Sequence, residues 1–406
     1  VRAQAINRKK EQVLAAAEDV FLEWGYPNTT VDMIVEKSGA SKQTVYVYFA
    51  SKEEIFRSVI ERLKAATELK IDSSKLRQLD LEELLTAIAT TLLKQVQSTD
   101  FTKFLWLVTG ECSRFPYLRE VYIKEFVSPV LEATETYAGE HPQIHIEDPR
   151  AAAFYFRGAI TSFSLFANLG FGFTEKSAAP FLKTLISSFA SDGQSGIRFD
   201  YKLEHQQLEP LTLRRGANGK RDQILNGALD LFLQKGFRDS AMNEVSLRAA
   251  VSKPTVYAHF NNKELLFQAI HEQLLDQIKE RLTVDPAVFK TSADFLCSFA
   301  ANFLEVLEDC VVRDYFRVLF GEPARLRTYV NAALEVLLLL QSEQIELAIA
   351  NVAGRDPDQH HYSAAIFNGA LVSYSLVQQV YTDADLLDLD RRRFLKELIY
   401  RISRTR

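Results

Sequence analysis

Apolar residues recur along this chain every three to four positions. Val13, Leu14, Ala17, Val20, Phe21 and Trp24 form the first stripe, the spacing of one helix face. It predicts a helix over 8–24, stopped by Gly25, where a residue with positive φ costs least. Thr29 and Thr30 are N-cap candidates for a short helix carrying Val31, Ile34 and Val35 and ending near Gly39. Ser41 then caps a third helix through Phe49, and Ser51 a fourth whose first turn holds Glu53 and Glu54, as the helix dipole favours. Segments 81–96, 101–112, 117–137, 149–169 and 175–190 read as amphipathic or buried helices between Gly-, Pro- and Asp-rich breaks. No stretch alternates as a strand does, so the expected class is all-α.

The pattern then starts again. Ser41 to Phe56 reads SKQTVYVYFASKEEIF and Ser252 to Phe267 reads SKPTVYAHFNNKELLF, an ungapped offset of 211 residues. Over 8–63 against 219–274 about 19 of 56 positions are identical, and a period this long is a duplicated domain, not a solenoid. Ile224, Leu225, Ala228, Leu231 and Phe232 repeat the first stripe, Gly236 the stop, and Ser240 and Ser252 the caps. Gly110-Glu111 matches Gly321-Glu322 and Gly158-Ala159 matches Gly369-Ala370, so the body is duplicated too. The expected divisions are a four-helix N-terminal segment over 1–60, a helical body over 61–190, a linker over 191–218, and the same pair over 219–271 and 272–406. One mark differs: Ala250 stands where the first copy has Gly39, so a turn requiring φ > 0 is strained in the second copy.

Charge adds polarity to this picture. The net charge is −5, yet residues 1–63 carry 9 basic against 9 acidic groups and residues 212–274 carry 9 against 6, which leaves the acidity in the bodies. Arg8, Lys9 and Lys10 cluster at the start of one segment, and Arg214, Arg215, Lys220 and Arg221 at the other. An acidic body with basic tips suits a polyanion met only by the tips. Cys112, Cys297 and Cys310 lack metal or redox spacing and fit a reducing cytosol. The start VRAQAINRKK lacks a signal peptide's apolar core, and no clean apolar run, Val336–Leu340 included, approaches the ~20 residues of a membrane span, so a cytoplasmic location away from membranes is expected.

Two short helices joined around a Gly form a helix–turn–helix, whose second helix can enter a major groove. Lys42, Gln43, Thr44 and Tyr48 lie near the start of that helix, within reach of base edges, while Tyr46, Lys52 and the hydroxyls of Thr30 and Ser41 suit phosphates. Their counterparts are Lys253, Pro254, Thr255 and His259, with Tyr257, Lys263 and Ser252 toward the backbone. Phe49 and Phe260 read as core. Tyr46 and Tyr257 can either pack or offer a hydroxyl.

The stretches TTVDMIVEKSGASKQTVYVYFASKEEIF and, with less fidelity, SAMNEVSLRAAVSKPTVYAHFNNKELLF resemble the TetR (tetracycline-repressor-like) family of bacterial regulators. Gly-Glu-Cys-Ser-Arg-Phe-Pro at 110–116 is similar to a ligand-domain segment in one branch of it. The resemblance implies an all-helical unit with a three-helix DNA-binding domain and a body that holds a small effector and dimerises through its last two helices. Members normally bind palindromic operators as homodimers, and two fused copies depart from that.

Other chemistry is weaker. His141 and His145 have metal-ligand spacing, but Pro142 and Pro149 argue for a loop; adjacent His360 and His361 read as a solvated helix start. No phosphate loop, nucleophile elbow or carboxylate pair is present, so no enzyme, metal or cofactor is expected. Among the many aromatics, Phe104, Phe126, Phe163, Phe316 and Tyr374 are candidates for an effector pocket, with Glu111 and Glu322 either anchoring it or pairing with an Arg. Phe156, Ile160, Phe163 and Ala167, repeated as Phe367, Leu371, Tyr374 and Gln378, predict a helix–helix seam between the copies. The expected molecule is a monomeric single-chain pseudodimer that binds a double-stranded operator and is released by a small apolar or aromatic effector. A homodimer with four motifs, and a helical ligand-binding protein whose motifs no longer bind DNA, stay open beside it.

Overall fold

The computed structural model describes residues 2–67, 79–112, 114–140, 146, 148–169, 175–189, 211–213, 219–353, 362–381 and 391–403. Among them every regular element is helical. In the first unit α1 (Arg2–Asn28), α2 (Val31–Ser38), α3 (Lys42–Tyr48) and α4 (Lys52–Ala66) precede a body. That body holds α5 (Leu81–Val96), α6 (Thr99–Glu111), α7 (Tyr117–Tyr122), a π-helical turn (Ile123–Val127), α8 (Ser128–Glu140), α9 (Pro149–Leu169) and α10 (Glu175–Ser187). The second unit repeats the series as α11 (Gly219–Lys235), α12 (Met242–Arg248), α13 (Lys253–His259) and α14 (Lys263–Leu282), then α15 (Ser292–Glu308), α16 (Cys310–Gly321), α17 (Pro323–Leu339), α18 (Ser342–Ala353), α19 (Ser363–Tyr381) and α20 (Arg391–Ile402).

Local chemistry explains the ends. Gly25 breaks α1 with φ 69, and the hydroxyls of Thr30, Ser41 and Ser51 accept the N–H groups of Met33, Thr44 and Glu54. Ser252 and Asn262 cap α13 and α14 in the same way. Ser240 does not cap α12. Its hydroxyl donates to the Gly236 carbonyl at 2.7 Å, as Thr29 donates to Gly25 at 2.7 Å, so the cap position falls to Ala241, whose N–H is accepted by Glu244. The expected strain is present: Ala250 has φ 52 beside Gly39 at φ 63.

The two bodies pack along α9 and α19. A Cβ on Gly158 would lie 2.9 Å from the Ala370 Cα and 3.0 Å from the Ser373 Cβ, and one on Gly369 would lie 1.8 Å from the Ser162 Oγ. Gly158 and Gly369 are one repeat apart, as are Ser162 and Ser373, so the contact is reciprocal, as in a two-fold dimer. The two helices expected to form an apolar seam do meet, but the side chains expected at it need correction. Among the described residues Phe163 packs on Phe181, Phe156 on Phe189 and Phe367 on Phe299, within their own units, while Tyr374 crosses to Phe154. Small residues hold the seam because they let two backbones approach where a ring would hold them apart. The side chains of Ala167 and Gln378 lie outside the described residues. Nearer the DNA-binding domains, α6 meets α16, where a Cβ on Gly110 would be 3.1 Å from the Gly321 Cα, a position meeting its own repeat equivalent.

Of the expected linker only 211–213 is described: Leu211 and Leu213 are buried, and the Leu211 N–H donates to Asp309 Oδ2 at 2.8 Å. The rest of 191–218, and His141, His145, His360 and His361, lie outside the described residues. Among the described residues no cluster of His, Cys, Asp or Glu could hold a metal. One stretch, Arg325–Ala353, is long and apolar enough to cross a membrane, but α17 and α18 are separated at Gln341, which has φ 56, and Ala333, Leu338, Ile345 and Ile349 pack in the core.

Candidate nucleic-acid interface

Each recognition helix is held by two apolar contacts and leaves its remaining faces exposed. Val45 and Val256 are fully buried, and Phe49 and Phe260 close the far ends. Lys42, Gln43, Tyr46 and Val47 are thereby turned outward in α3, and Lys253, Pro254, Tyr257, Ala258 and His259 in α13; Thr44, Tyr48 and Thr255 are half-buried. Tyr46 and Tyr257 are 48% and 47% exposed, which settles them as surface residues. Thr30 and Ser41 stay exposed while capping, and Ser252 does likewise. Lys10 sits over the Phe49 ring at 5.6 Å and Arg221 over Phe260 at 5.4 Å, so one basic residue from each segment start lies at the end of a recognition helix. Arg214 and Arg215 lie outside the described residues.

Lys52 and Lys263 have another task. The Lys52 ammonium donates to the carbonyls of Tyr26 and Thr29, both at 2.9 Å, and Lys263 to those of Arg238 and Ser240, both at 2.8 Å. Burial depresses both pKa values. Both lysines tie the fourth helix to the turn after the first and so position the reading helix. Lys42 pairs with Asp32 at 2.7 Å, and that hydrogen bond raises its pKa; Asn243 replaces the carboxylate beside Lys253.

Glu111 and Glu322 resolve in favour of packing. Glu111 Oε1 accepts the Tyr26 N–H at 2.8 Å and Oε2 lies 3.4 Å from Arg114. Glu322 Oε1 accepts the Arg238 N–H at 2.7 Å. Burial raises both carboxyl pKa values. Each glutamate therefore fixes a body to its own DNA-binding domain, at the loop after Gly25 or Gly236. The two DNA-binding domains also touch: the Arg238 guanidinium lies 3.9 Å from the Trp24 ring centroid. Sequence reasoning missed this contact, because Lys235 and Pro27 occupy the equivalent positions and the pair has no counterpart in the repeat.

The remaining pocket candidates each pack on a neighbouring ring. Phe104 packs on Phe126, Phe163 on Phe181, Phe316 on Phe320 and Tyr374 on Phe394. A cavity of about 20 Å³ in the first body is lined by others, among them Leu84, Ile88, Tyr137, Ala152, Phe156 and Phe189, and holds no more than about one water.

The sequence profile of bacterial regulatory proteins of the tetR family matches residues 13–59 and 224–270. That of the C-terminal domain of the AefR-like transcriptional repressor matches 83–187. The chain is 44% identical over 55 residues to the HTH-type transcriptional regulator YfiR of Bacillus subtilis, covering 14% of this chain and 27% of that one. It is 36% identical over 62 residues to the HTH-type transcriptional regulator RutR of Escherichia coli, covering 15% and 29%. It thus spans under a third of the length of these relatives. A crystal structure described as a TetR-family regulator from Mesorhizobium loti shares 24% identity, covers 44% of this chain and 91% of that one, and has a TM-score of 0.34.

Proposed function

The chain belongs to the tetR family of bacterial regulatory proteins, a family of regulators and not of enzymes, and we propose that it is a cytoplasmic repressor in which one chain does the work of a dimer. The observation that carries this reading is the reciprocal packing of Gly158 and Ser162 against Gly369 and Ser373, which lets two units share one interface without a second chain. The exposed Lys42, Gln43, Tyr46 and their counterparts would meet double-stranded DNA. A small apolar or aromatic effector would release it by favouring one orientation of the DNA-binding domains over another.

A single chain with unequal recognition helices should read an asymmetric operator. Gln43 faces Pro254 in the repeat, Val47 faces Ala258 and Tyr48 faces His259. Gln can bond adenine bidentately where Pro offers only apolar contact, and such a base contact discriminates by ~1–3 kcal/mol. Selection from random DNA should return unequal half-sites that share the bases read by Lys42/Lys253 and Thr44/Thr255. Pro254→Gln with Ala258→Val and His259→Tyr should move the selected site toward symmetry. A perfect palindrome selected by the wild type would sink the single-chain reading, because two copies of one motif would then be meeting the DNA.

A further inference from the structure

Arg157, on α9 of the first body, is 3% exposed. Its Nε donates to the Phe126 carbonyl at 3.1 Å, its Nη2 bonds the Tyr122 hydroxyl, and the guanidinium lies 5.3 Å from the Tyr122 ring centroid. Nη1 is buried and has no hydrogen-bond partner. Among the described residues no carboxylate pairs with this side chain. A guanidinium stays charged at any ordinary pH, and a buried charge without a counter-ion costs several kcal/mol. Nothing in the packing of the helices requires a cation here: at the same position of the second body stands Asn368, whose amide donates to the Leu338 carbonyl at 3.0 Å.

The surroundings of Arg157 differ between the bodies in the same direction. The Phe126 carbonyl belongs to the π-helical turn Ile123–Val127, and π turns inside α-helices gather at functional sites. The second body runs as uninterrupted helix there, with Ala333 and Leu337 in place of Tyr122 and Phe126. Around the turn, the Phe126 ring contacts Phe101 at 5.4 Å, Phe104 at 4.6 Å and Tyr122 at 6.0 Å between centroids. A cationic fork with an unused donor therefore adjoins a cluster of rings.

We propose that Arg157 is the anchor for the effector's carboxylate, and that the effector is a monocarboxylic acid with an aromatic or aliphatic tail, bound once per chain in the first body. This rests on the effector-released reading above. The carboxylate would accept from Nη1 and neutralise the buried charge, and the tail would displace the rings of Phe101, Phe104 and Phe126 from one another. A dianion such as a phosphate ester would leave an excess negative charge beside a single guanidinium in an apolar setting. Gly158, the next residue, sits in the seam with α19, so a shift of α9 on binding would reach the second unit directly.

The test uses the full chain with benzoate, phenylacetate and octanoate, each against its neutral amide, with melting temperature and calorimetric affinity as readouts. At least one acid should raise the melting temperature while its amide does not, and protect amides of 122–127 from hydrogen exchange. Arg157→Gln should weaken that acid by about 10- to 100-fold, the loss of a charge-assisted hydrogen bond, and Arg157→Lys by less. If no acid binds, if acid and amide bind alike, or if Arg157→Gln binds the acid as the wild type does, the assignment falls; the acid–amide contrast and the exchange pattern decide it even if the variants do not fold. Operator affinity separates the two readings. Acid bound through Arg157 with no effect on DNA keeps the site and removes effector release; release by the acid that persists in Arg157→Gln does the reverse.

Discussion

The two DNA-binding domains share a framework and differ in how it is finished. Ser41 and Ser252 cap the recognition helices, Val45 and Val256 seat them, and Lys52 and Lys263 hold the equivalent carbonyls of Thr29 and Ser240. In the second domain, however, Ala241 replaces the capping Thr30, Ala250 the Gly39 that ends α2, Asn243 the Asp32 that pairs with Lys42, and Leu247, 81% exposed, replaces Glu36. Residues that position the reading helix are kept and those that terminate or solvate its neighbour are not. The second domain instead leans on the first through Arg238 and Trp24. Duplication within one chain makes this possible, since a domain tethered to a well-built twin needs less stability of its own.

The sharpest way to break the comparison is at the seam both bodies share. A Cβ at 369 would fall 1.8 Å from the Ser162 Oγ and 2.3 Å from its Cβ, whereas one at 158 would fall 2.9 Å from backbone. Overpacking costs ~1–3 kcal/mol, occasionally more, so Gly369→Ala should lie at or above the top of that range and Gly158→Ala below it. Denaturant titration checks the order, and Ser162→Gly should rescue Gly369→Ala. An unchanged midpoint for Gly369→Ala would mean that the bodies do not approach this closely.

A second difference lies between α14 and its body. His271 Nδ1 bonds the Tyr315 hydroxyl and its ring lies 4.8 Å from Tyr329, where the first unit has Ile60, Phe104 and Leu118. Burial lowers the His271 pKa to about 4, with Glu272 opposing and Lys279 adding to the shift. The imidazole is therefore neutral in the fold and protonates more readily once unfolded, so its contribution is fully present above pH 6.5 and is lost as pH falls through about 4. The loss amounts to about 3 kcal/mol. Stability measured from pH 7 to 4 should fall less steeply in His271→Ile, which copies the first unit; parallel curves would show that this histidine does not carry the difference between the units.

How much of this was legible follows from the range of each interaction. Caps such as Thr30, Ser41 and Ser51 act within three residues, so their pattern alone places the helix starts. Ser240 misled because a hydroxyl next to the cap can turn inward to the Gly236 carbonyl, and nothing local distinguishes the two uses. Nor could periodicity pick the seam face of α9, which is apolar on nearly every side; the informative residues, Gly158 and Ser162, signal contact by lacking bulk. Lys52 resembled a phosphate contact because its partners lie 23 and 26 residues upstream. Arg157 carried a signal that went unused, a lone charge within the apolar run Ala151–Ile160.

The finest test concerns one backbone angle. Ala250 holds φ 52 where Gly39 holds φ 63, and a Cβ in the left-handed region costs ~1–2 kcal/mol. A Cβ built on Gly39 meets nothing within 4 Å, so Gly39→Ala changes backbone strain and little else. Gly39→Ala should therefore destabilise the first domain, and Ala250→Gly should stabilise the second by somewhat less, because glycine returns part of the gain as unfolded-chain entropy. Hydrogen exchange separates the two domains within one molecule: amides of α12 and α13 should slow in Ala250→Gly, and those of α2 and α3 should quicken in Gly39→Ala. If Ala250→Gly leaves α12 and α13 unchanged, strain at this turn is not what sets the second domain apart, and the missing cap at Ala241 becomes the difference to repair, with Ala241→Thr as the variant that restores it.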